Sequence, residues 1–138
     1  MKFDELDAKM RVYEQSLDQI IPPGNFIVAR IDGRSFTRLT KEVCKFEAPF
    51  DKSFNDMMVG TVKALVSETG MQIVYGYTQS DEISVLFAKD AGTFGRKVRK
   101  LNTILSGSAS AHFSLRREVY ADYELPLNYV PMEFIKVV

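Results

Sequence analysis

Apolar residues recur every three or four positions in three segments of the chain, and this spacing predicts three amphipathic helices. The first covers residues 3 to about 20 and is followed by the helix-breaking run Pro22-Pro23-Gly24. The second begins after Asp51, a preferred helix-capping residue, and ends at Gly70. The third covers residues 94 to 113. The apolar positions are Phe3, Leu6, Met10, Tyr13 and Leu17 in the first helix, Phe54, Met58, Val62, Leu65 and Val66 in the second, and Phe94, Val98, Leu101, Leu105 and Ala109 in the third.

Three shorter segments have the composition of β-strands. Residues 26–32 form the first, and because both of its alternating faces are mostly apolar we predict a central strand. Residues 71–75 and 83–87 are apolar runs on either side of the polar tip Gly76 to Glu82, which predicts a hairpin. On the first strand, alternation places Phe26, Val28, Arg30 and Asp32 on one face and Ile27, Ala29 and Ile31 on the other.

The order helix, strand, helix, strand, strand, helix predicts an α+β fold, an antiparallel sheet with helices packed on one face. We expect residues 1–114 to form the main domain and residues 115–138 a C-terminal tail. Residues 119–125 could form a strand of that tail, but Pro126 and Pro131 restrict it to a sheet edge or an extended arm.

Composition supports a single globular domain: 46% of the 138 residues are hydrophobic and 26% are charged. The 18 basic and 18 acidic residues balance, so any surface for nucleic acid must be a local patch. A single cysteine, Cys44, excludes an internal disulfide. There is no basic-plus-apolar leader and no apolar run near the ~20 residues that span a bilayer. We therefore expect a cytoplasmic protein with no membrane partner.

Carboxylates at two predicted strand ends are the strongest candidates for chemistry. Asp32 ends the first strand and is followed by Gly33, while Asp81 and Glu82 lie together at the hairpin tip. Paired carboxylates can hold two Mg²⁺ ions about 4 Å apart, which suits nucleotide chemistry. Since neighbouring strand residues point to opposite faces, we rank Asp81 as a direct ligand and Glu82 as a supporting residue. The alternative is that these are ordinary turn-forming acids.

Glycine and basic residues supply candidates for phosphate binding. Gly33 permits close backbone approach, and the amides of Arg34, Ser35 and Phe36 could point at phosphate oxygens, with the Arg34 and Ser35 side chains adding charge and a hydroxyl. On the third helix, Arg96 and Lys100 lie four residues apart on one face and could clamp a triphosphate or RNA backbone. The alternative for this pair is a solvated basic face.

Tyr75, Tyr77 and His112 are interpreted as packing residues. The two tyrosines alternate with Val74 and Gly76 in a predicted strand, and His112 continues the apolar stripe of its helix.

Several motifs together resemble the tRNA-His guanylyltransferase superfamily, and most closely its bacterial guanylyltransferase-like 3'-to-5' RNA polymerases, which repair 5'-truncated tRNA. The resemblance covers about residues 1–114 in the family's order. It is carried by Arg30-Ile31-Asp32-Gly33-Arg34-Ser35-Phe36, Phe46-Glu47-Ala48-Pro49-Phe50-Asp51, Tyr75-Gly76-Tyr77-Thr78-Gln79-Ser80-Asp81-Glu82-Ile83-Ser84 and the helix with Phe94, Arg96 and Lys100.

The resemblance implies a polymerase-palm-like fold and a metal-dependent nucleotidyltransferase. The enzyme would add nucleotides in the 3'-to-5' direction to the 5' end of tRNA at the acceptor stem, with two Mg²⁺ ions and with GTP and ATP as substrates. By matching motifs, Asp32 and Asp81 would be catalytic metal ligands, Gly33 would offer its carbonyl, and Glu82 would support the site. Family analogy implies a homotetramer. The triphosphate would be held by Gly33, Arg34, Ser35, Phe36, Ser80, Arg96 and Lys100.

The sequence departs from the family's pattern in three ways. The eukaryotic segment used to recognise the tRNA-His anticodon is absent, which favours the generic repair branch over strict tRNA-His specificity. Ala48 stands where many members carry a lysine, so one phosphate contact of the family is not carried over. The family is also longer, and we expect that a middle segment is absent between residue 114 and the tail. Two other functions therefore stay open: a palm-type nucleotide cyclase, and a module that binds NTP or RNA without chemistry.

Overall fold

The computed structural model describes residues 1–38, 41–42, 51–116 and 132–137, the last of these ranges as backbone only. Cys44, Ala48 and the strand predicted for residues 119–125 lie outside the described residues. In chain order the elements are α1 (Phe3–Gln15), β1 (Val28–Gly33), α2 (Phe36–Arg38), α3 (Lys52–Ser67), β2 (Ile73–Gln79), β3 (Glu82–Phe87), a 3₁₀ turn (Thr93–Arg96), α4 (Val98–Arg116) and β4 (Met132–Val137).

The four strands form one sheet in the order β2-β3-β1-β4, and all three neighbouring pairs are antiparallel. β1 is a central strand, as predicted, and β2 and β3 form the predicted hairpin. Since β1 and β2 both run antiparallel to β3, they are parallel to each other, and the segment containing α3 is the crossover between them. At the far edge, β4 is a strand that the sequence reasoning did not predict.

The helices α3 and α4 cover one face of the sheet, which confirms the α+β expectation. Buried residues of β1 and β3 alternate with exposed or partly buried ones, so only one face of these strands lies in the core. Asp51 caps α3 as predicted, since its side chain accepts a hydrogen bond from the backbone amide of Phe54. The fully buried residues at the centre of the core include Ile31, Leu65, Ile83, Phe87, Leu101, Leu105 and Phe113.

Three predicted boundaries are wrong. The polar tip of the hairpin is only Ser80–Asp81, because residues 76–79 and Glu82 continue the antiparallel ladder. α4 begins at Val98 rather than Phe94, because residues 94–96 adopt positive φ angles that break the helix. The first helix ends at Gln15, well before the prolines.

The predicted apolar stripe of α1 is real but is not buried in the described part of the chain. Phe3 and Leu17, near the two ends of the stripe, are 81% and 84% exposed. In the part of the chain that the structure describes, no helix combines the length and hydropathy needed to cross a membrane.

Candidate functional site

The end of β1 meets the hairpin turn at the same edge of the sheet, and this contact brings the predicted carboxylates together. The backbone amide of Gly33 donates a hydrogen bond to the backbone carbonyl of Asp81 at 2.9 Å. The same amide lies 2.9 Å from Oδ1 of Asp32. Asp32 also lies directly opposite Glu82 in the β1–β3 ladder. The separate Asp-Gly and Ser-Asp-Glu motifs therefore form one acidic tip, defined here as Asp32, Asp81 and Glu82.

Hydrogen bonds fix the shape of the turn that carries Asp81. Ser80 adopts a left-handed φ of 55°, a conformation that closes the tight connection between β2 and β3. Its hydroxyl lies 3.2 Å from Oδ1 of Asp81, and the hydroxyl of Thr78 donates to the backbone carbonyl of Glu82 at 2.9 Å. These contacts hold the hydroxyl of Ser80, a predicted site residue, against the carboxylate of Asp81.

Local packing requires a glycine at position 33, in addition to the close backbone approach that a glycine permits. A Cβ at this position would lie 2.3 Å from Cδ2 of Phe36, closer than non-bonded atoms can come. Phe36 is held there because its ring packs against Phe54 and Phe113, with centroid distances of 5.8 and 5.3 Å. The side chain of Phe36 is thus a core anchor that fixes the turn after β1. The predicted role for its backbone amide stays a prediction, as do the phosphate roles of Arg34 and Ser35, which lie exposed in that turn.

A small open pocket of about 150 Å³ lies beside Asp81. Its cationic side chain is Lys41, which the sequence reasoning did not select as a site residue. The available signal was the basic repeat that runs through Arg34, Arg38, Lys41 and Lys45. Sequence alone could not show which of these four lies near the hairpin tip, because that depends on where the chain turns after α2. The residues that line the pocket are Phe36, Thr37, Lys41, Phe54, Ser80 and Asp81.

Glu82 lies on the open face of the sheet, which is the face opposite α3 and α4, and it is paired with a basic residue. Directly opposed residues of an antiparallel pair point to the same side, so Glu82 shares its face with Asp32. Its Oε1 accepts a hydrogen bond from Nη2 of Arg30, two residues before Asp32. A supporting role for Glu82 is compatible with this arrangement.

Arg96 and Lys100 are not near the pocket beside Asp81. The guanidinium of Arg96 is almost completely buried, and it donates hydrogen bonds to four backbone carbonyls in the segments before β1 and after β3. Lys100 is exposed and lines a different pocket, of about 260 Å³, with Phe94, Arg99 and Ile104. The geometry gives Arg96 a structural role, and the triphosphate roles of both residues stay predictions.

The oxygen donors at the acidic tip suit a hard divalent cation. Magnesium prefers oxygen ligands and commonly uses one or two protein carboxylates, leaving other positions for water and substrate phosphates. Asp32, Asp81 and the Gly33 carbonyl supply such donors. Within the described ranges, no three His, Cys, Asp or Glu side chains form a ready metal cluster. The donors of the tip are thus of the kind that Mg²⁺ takes together with water and phosphate oxygens.

The two hairpin tyrosines are not packing residues in the described structure. At least half of each side chain of Tyr75 and Tyr77 is exposed, and both lie on the face of the sheet opposite the helices. The prediction that they pack is wrong, because β2 buries only one face. His112 is partly buried as expected and lies 3.8 Å from Glu68.

The fold is an antiparallel sheet with helices on one face. Carboxylates lie where the end of a central strand meets the hairpin, and this arrangement defines a palm-like domain. The particular family follows from comparison with known proteins: the family model for tRNAHis guanylyltransferase matches residues 7–134. The chain therefore belongs to the tRNAHis guanylyltransferase family, and the resemblance seen in the sequence is confirmed.

Individual relatives and solved structures agree with this assignment. The probable tRNA(His) guanylyltransferase of Drosophila melanogaster is 34% identical over 122 residues, which are 88% of this chain and 41% of the fly protein. A bacterial tRNA(His) guanylyltransferase-like protein in complex with ATP matches with a TM-score of 0.81 and 26% identity, over 96% of this chain and 56% of that chain.

The same kind of bacterial protein in complex with GTP matches with a TM-score of 0.80 and 26% identity, over 97% of this chain and 62% of that one. The structural matches confirm the palm-like α+β expectation. The chain nevertheless spans less than two thirds of the length of each of these relatives.

Proposed function

We propose that this chain is a nucleotidyltransferase that adds nucleotides in the 3'-to-5' direction to the 5' end of tRNA. The observation that carries the proposal is the hydrogen bond from Gly33 to Asp81, because it joins two distant motifs into one acidic tip. Family membership supports action on tRNA, and the complexes of bacterial relatives with ATP and GTP support nucleoside triphosphates as substrates.

In this proposal, the reacting groups are the 3'-hydroxyl of an incoming NTP and the activated 5'-phosphate of the tRNA. The hydroxyl oxygen attacks the phosphorus and gives up its proton to water. A new phosphodiester bond forms as the phosphoanhydride bond breaks, and the activating group leaves as pyrophosphate or AMP. Asp32 and Asp81 position these groups from β1 and the hairpin turn. Lys41 places a positive charge at the pocket beside Asp81, where the phosphates of a nucleotide would lie.

Two magnesium ions fit the proposal because the tip offers carboxylate and carbonyl oxygens. When bound, they would activate the attacking oxygen and neutralise the charge on the leaving group. The ligands in this chain would be Asp32, Asp81 and the Gly33 carbonyl, with Glu82 supporting them.

A tRNA extension assay tests the proposal. The chain is incubated with 5'-truncated tRNA, ATP, GTP and MgCl₂, and product lengths are read on a denaturing gel. We expect extension, and we expect Asp32→Asn and Asp81→Asn each to lower its rate by about 100-fold or more, since metal ions contribute several kcal/mol of charge stabilisation. Both asparagines keep the side-chain shape, and circular dichroism would check that the variants fold.

Asp90→Asn is the matched control, because this exposed acid lies beyond the end of β3 and away from the tip. Its extension rate should equal that of the unmodified chain. Absence of extension would contradict the proposal, and formation of a cyclic nucleotide without RNA would favour the cyclase alternative.

A further inference from the structure

The ion pair between Arg30 and Glu82 lies within the row of side chains that forms the acidic tip. In the β1–β3 ladder, Arg30 is opposite Ser84 and Asp32 is opposite Glu82, and all four residues project from the open face of the sheet. Arg30 reaches along this face by one row, about 7 Å, to contact the carboxylate of Glu82. A fixed positive charge therefore lies next to the residues that would bind metal.

Stabilisation of the fold does not explain this pair well. The side chains of Arg30 and Glu82 are 47% and 40% exposed. Ion pairs with this exposure typically contribute between zero and about 1 kcal/mol to stability. The backbone beside them is already fixed by the strand ladder and by the hydrogen bond from Thr78 to the Glu82 carbonyl. The larger effect of the pair is on the charge of the tip.

We propose that Arg30 is a positioning residue that holds Glu82 out of the metal shell and weakens metal binding in the absence of nucleotide. Without Arg30, the three carboxylates of the tip would attract divalent ions more strongly. With Glu82 neutralised, Asp32 and Asp81 hold an ion weakly, and the triphosphate supplies the remaining charge and ligands. Metal loading thereby depends on nucleotide. This inference rests on the proposed function.

The sign and size of the effect follow from electrostatics. One unit charge at about 7 Å from a divalent ion near a wet surface, at ordinary ionic strength, changes its affinity by about three- to tenfold. Removing Arg30 should therefore tighten metal binding, and removing the negative charge of Glu82 should weaken it. Removing both charges should return the affinity close to its starting value. A purely structural pair would instead weaken binding whenever either partner is lost.

Manganese binding without nucleotide tests the inference, with free Mn²⁺ measured by electron paramagnetic resonance up to millimolar concentration. We expect Arg30→Gln to bind Mn²⁺ about three- to tenfold more tightly than the unmodified chain, and Glu82→Gln to bind it more weakly by a similar factor. The double variant should lie within twofold of the unmodified chain. Arg30→Lys keeps the charge and should also stay within about twofold.

Lys63→Gln is the matched control, because it removes an exposed positive charge from α3, on the other side of the sheet. Its Mn²⁺ affinity should be unchanged. The inference is overturned if Arg30→Gln leaves the affinity within twofold or weakens it, or if no variant binds Mn²⁺. The tRNA extension assay is separate, so lack of extension with the expected Mn²⁺ pattern would contradict only the proposed function.

Discussion

Arg96 joins two loops that support the start of β1. Its guanidinium donates to the carbonyls of Ile21, Ala91, Pro22 and Asn25 at 2.9, 2.8, 3.2 and 2.6 Å. Its backbone adopts a left-handed φ of 60°, which is unfavourable for a residue with a side chain. The hydrogen bonds offset that cost, because a buried charge with four carbonyl partners is well satisfied.

Replacement of Arg96 by Met tests this structural role. The variant leaves four carbonyls without their donor, and we expect the free energy of unfolding to fall by about 3 kcal/mol. Urea denaturation followed by circular dichroism measures the change. Lys100→Met, four residues further on in α4 and exposed, should change it by less than about 0.5 kcal/mol. Weaker GTP binding by Arg96→Met with unchanged stability would instead support the phosphate role predicted from sequence.

The sequence was sufficient to select Asp32 and Asp81 as candidates because their signals are local. Asp32 is followed by glycine at a strand end, and Asp81 lies at a turn between two apolar runs, so each was recognisable in its own segment. Partners across the sheet were not recognisable. The contact of Arg30 with Glu82 depends on the register of β1 against β3, and the position of Lys41 beside Asp81 depends on tertiary structure that the sequence does not reveal.

At the scale of elements, ion pairs attach α1 and the segment after it to the start of α4. Asp18 contacts Arg99 and lies 3.3 Å from Nζ of Lys97, while Arg99 also lies 3.1 Å from Glu14. The Asp18 side chain is only 8% exposed. The hydrogen bond from Arg99 lowers the pKa of Asp18 below its ordinary value, with Lys97 acting in the same direction. The negative charge of Asp18 thus stabilises the folded state.

The stability that Asp18 contributes should depend on pH. Its pKa is lower in the folded than in the unfolded chain, so the contribution is fully present above the unfolded pKa, about 3.9, and is lost as pH falls through the folded pKa. We expect Asp18→Asn to be less stable than the unmodified chain by a constant amount from about pH 5 to pH 7. This difference should shrink below pH 4.

Urea midpoints measured between pH 3 and pH 7 for both chains check this expectation. Asp4→Asn, an exposed acid in the first turn of α1, is the control and should not reproduce the pattern. A stability difference that stays constant down to pH 3 would show that Asp18 acts through packing rather than through its charge.

Element types were predicted more reliably from sequence than element ends. The helix α3 and the hairpin have strong periodic signals and clear capping or turn residues. The start of α4 was misplaced because Phe94 and Arg96 adopt left-handed backbone angles through tertiary contacts rather than intrinsic preference. β4 was missed because its pairing with β1 is long-range, and its neighbour Pro131 argues against a strand.

At the scale of the whole molecule, many of the large apolar side chains that the described chain exposes lie on and just after α1. α1 has no buried residue, and its apolar stripe lies open along the helix. Glu14, near the end of α1, and Asp18, in the segment after it, both pair with Arg99 of α4, so the end of the helix is attached to α4. The large apolar side chains exposed on and just after α1 are Phe3, Leu6, Met10, Val12, Tyr13, Leu17 and Ile20.

We propose that this stripe is buried between copies of the chain in a homo-oligomer, which family analogy predicts to be a tetramer. Sedimentation velocity across micromolar concentrations should show assembly of the unmodified chain. A variant with Met10→Ser and Leu17→Ser should require at least tenfold higher concentration to assemble, because each large apolar side chain contributes about 1.5–3 kcal/mol when fully buried. Circular dichroism should show that the variant keeps its fold, since neither residue is buried in the single chain.

A matched variant separates the apolar stripe from general effects of mutating α1. Lys9→Ser and Gln15→Ser alter exposed polar residues of the same helix by the same number of substitutions, and their assembly should stay within about twofold of the unmodified chain. Two results would contradict the proposal: a monomer at all concentrations, or equal loss of assembly in both variants. A monomer would mean that the stripe serves a different contact, such as one with segments that the longer relatives possess.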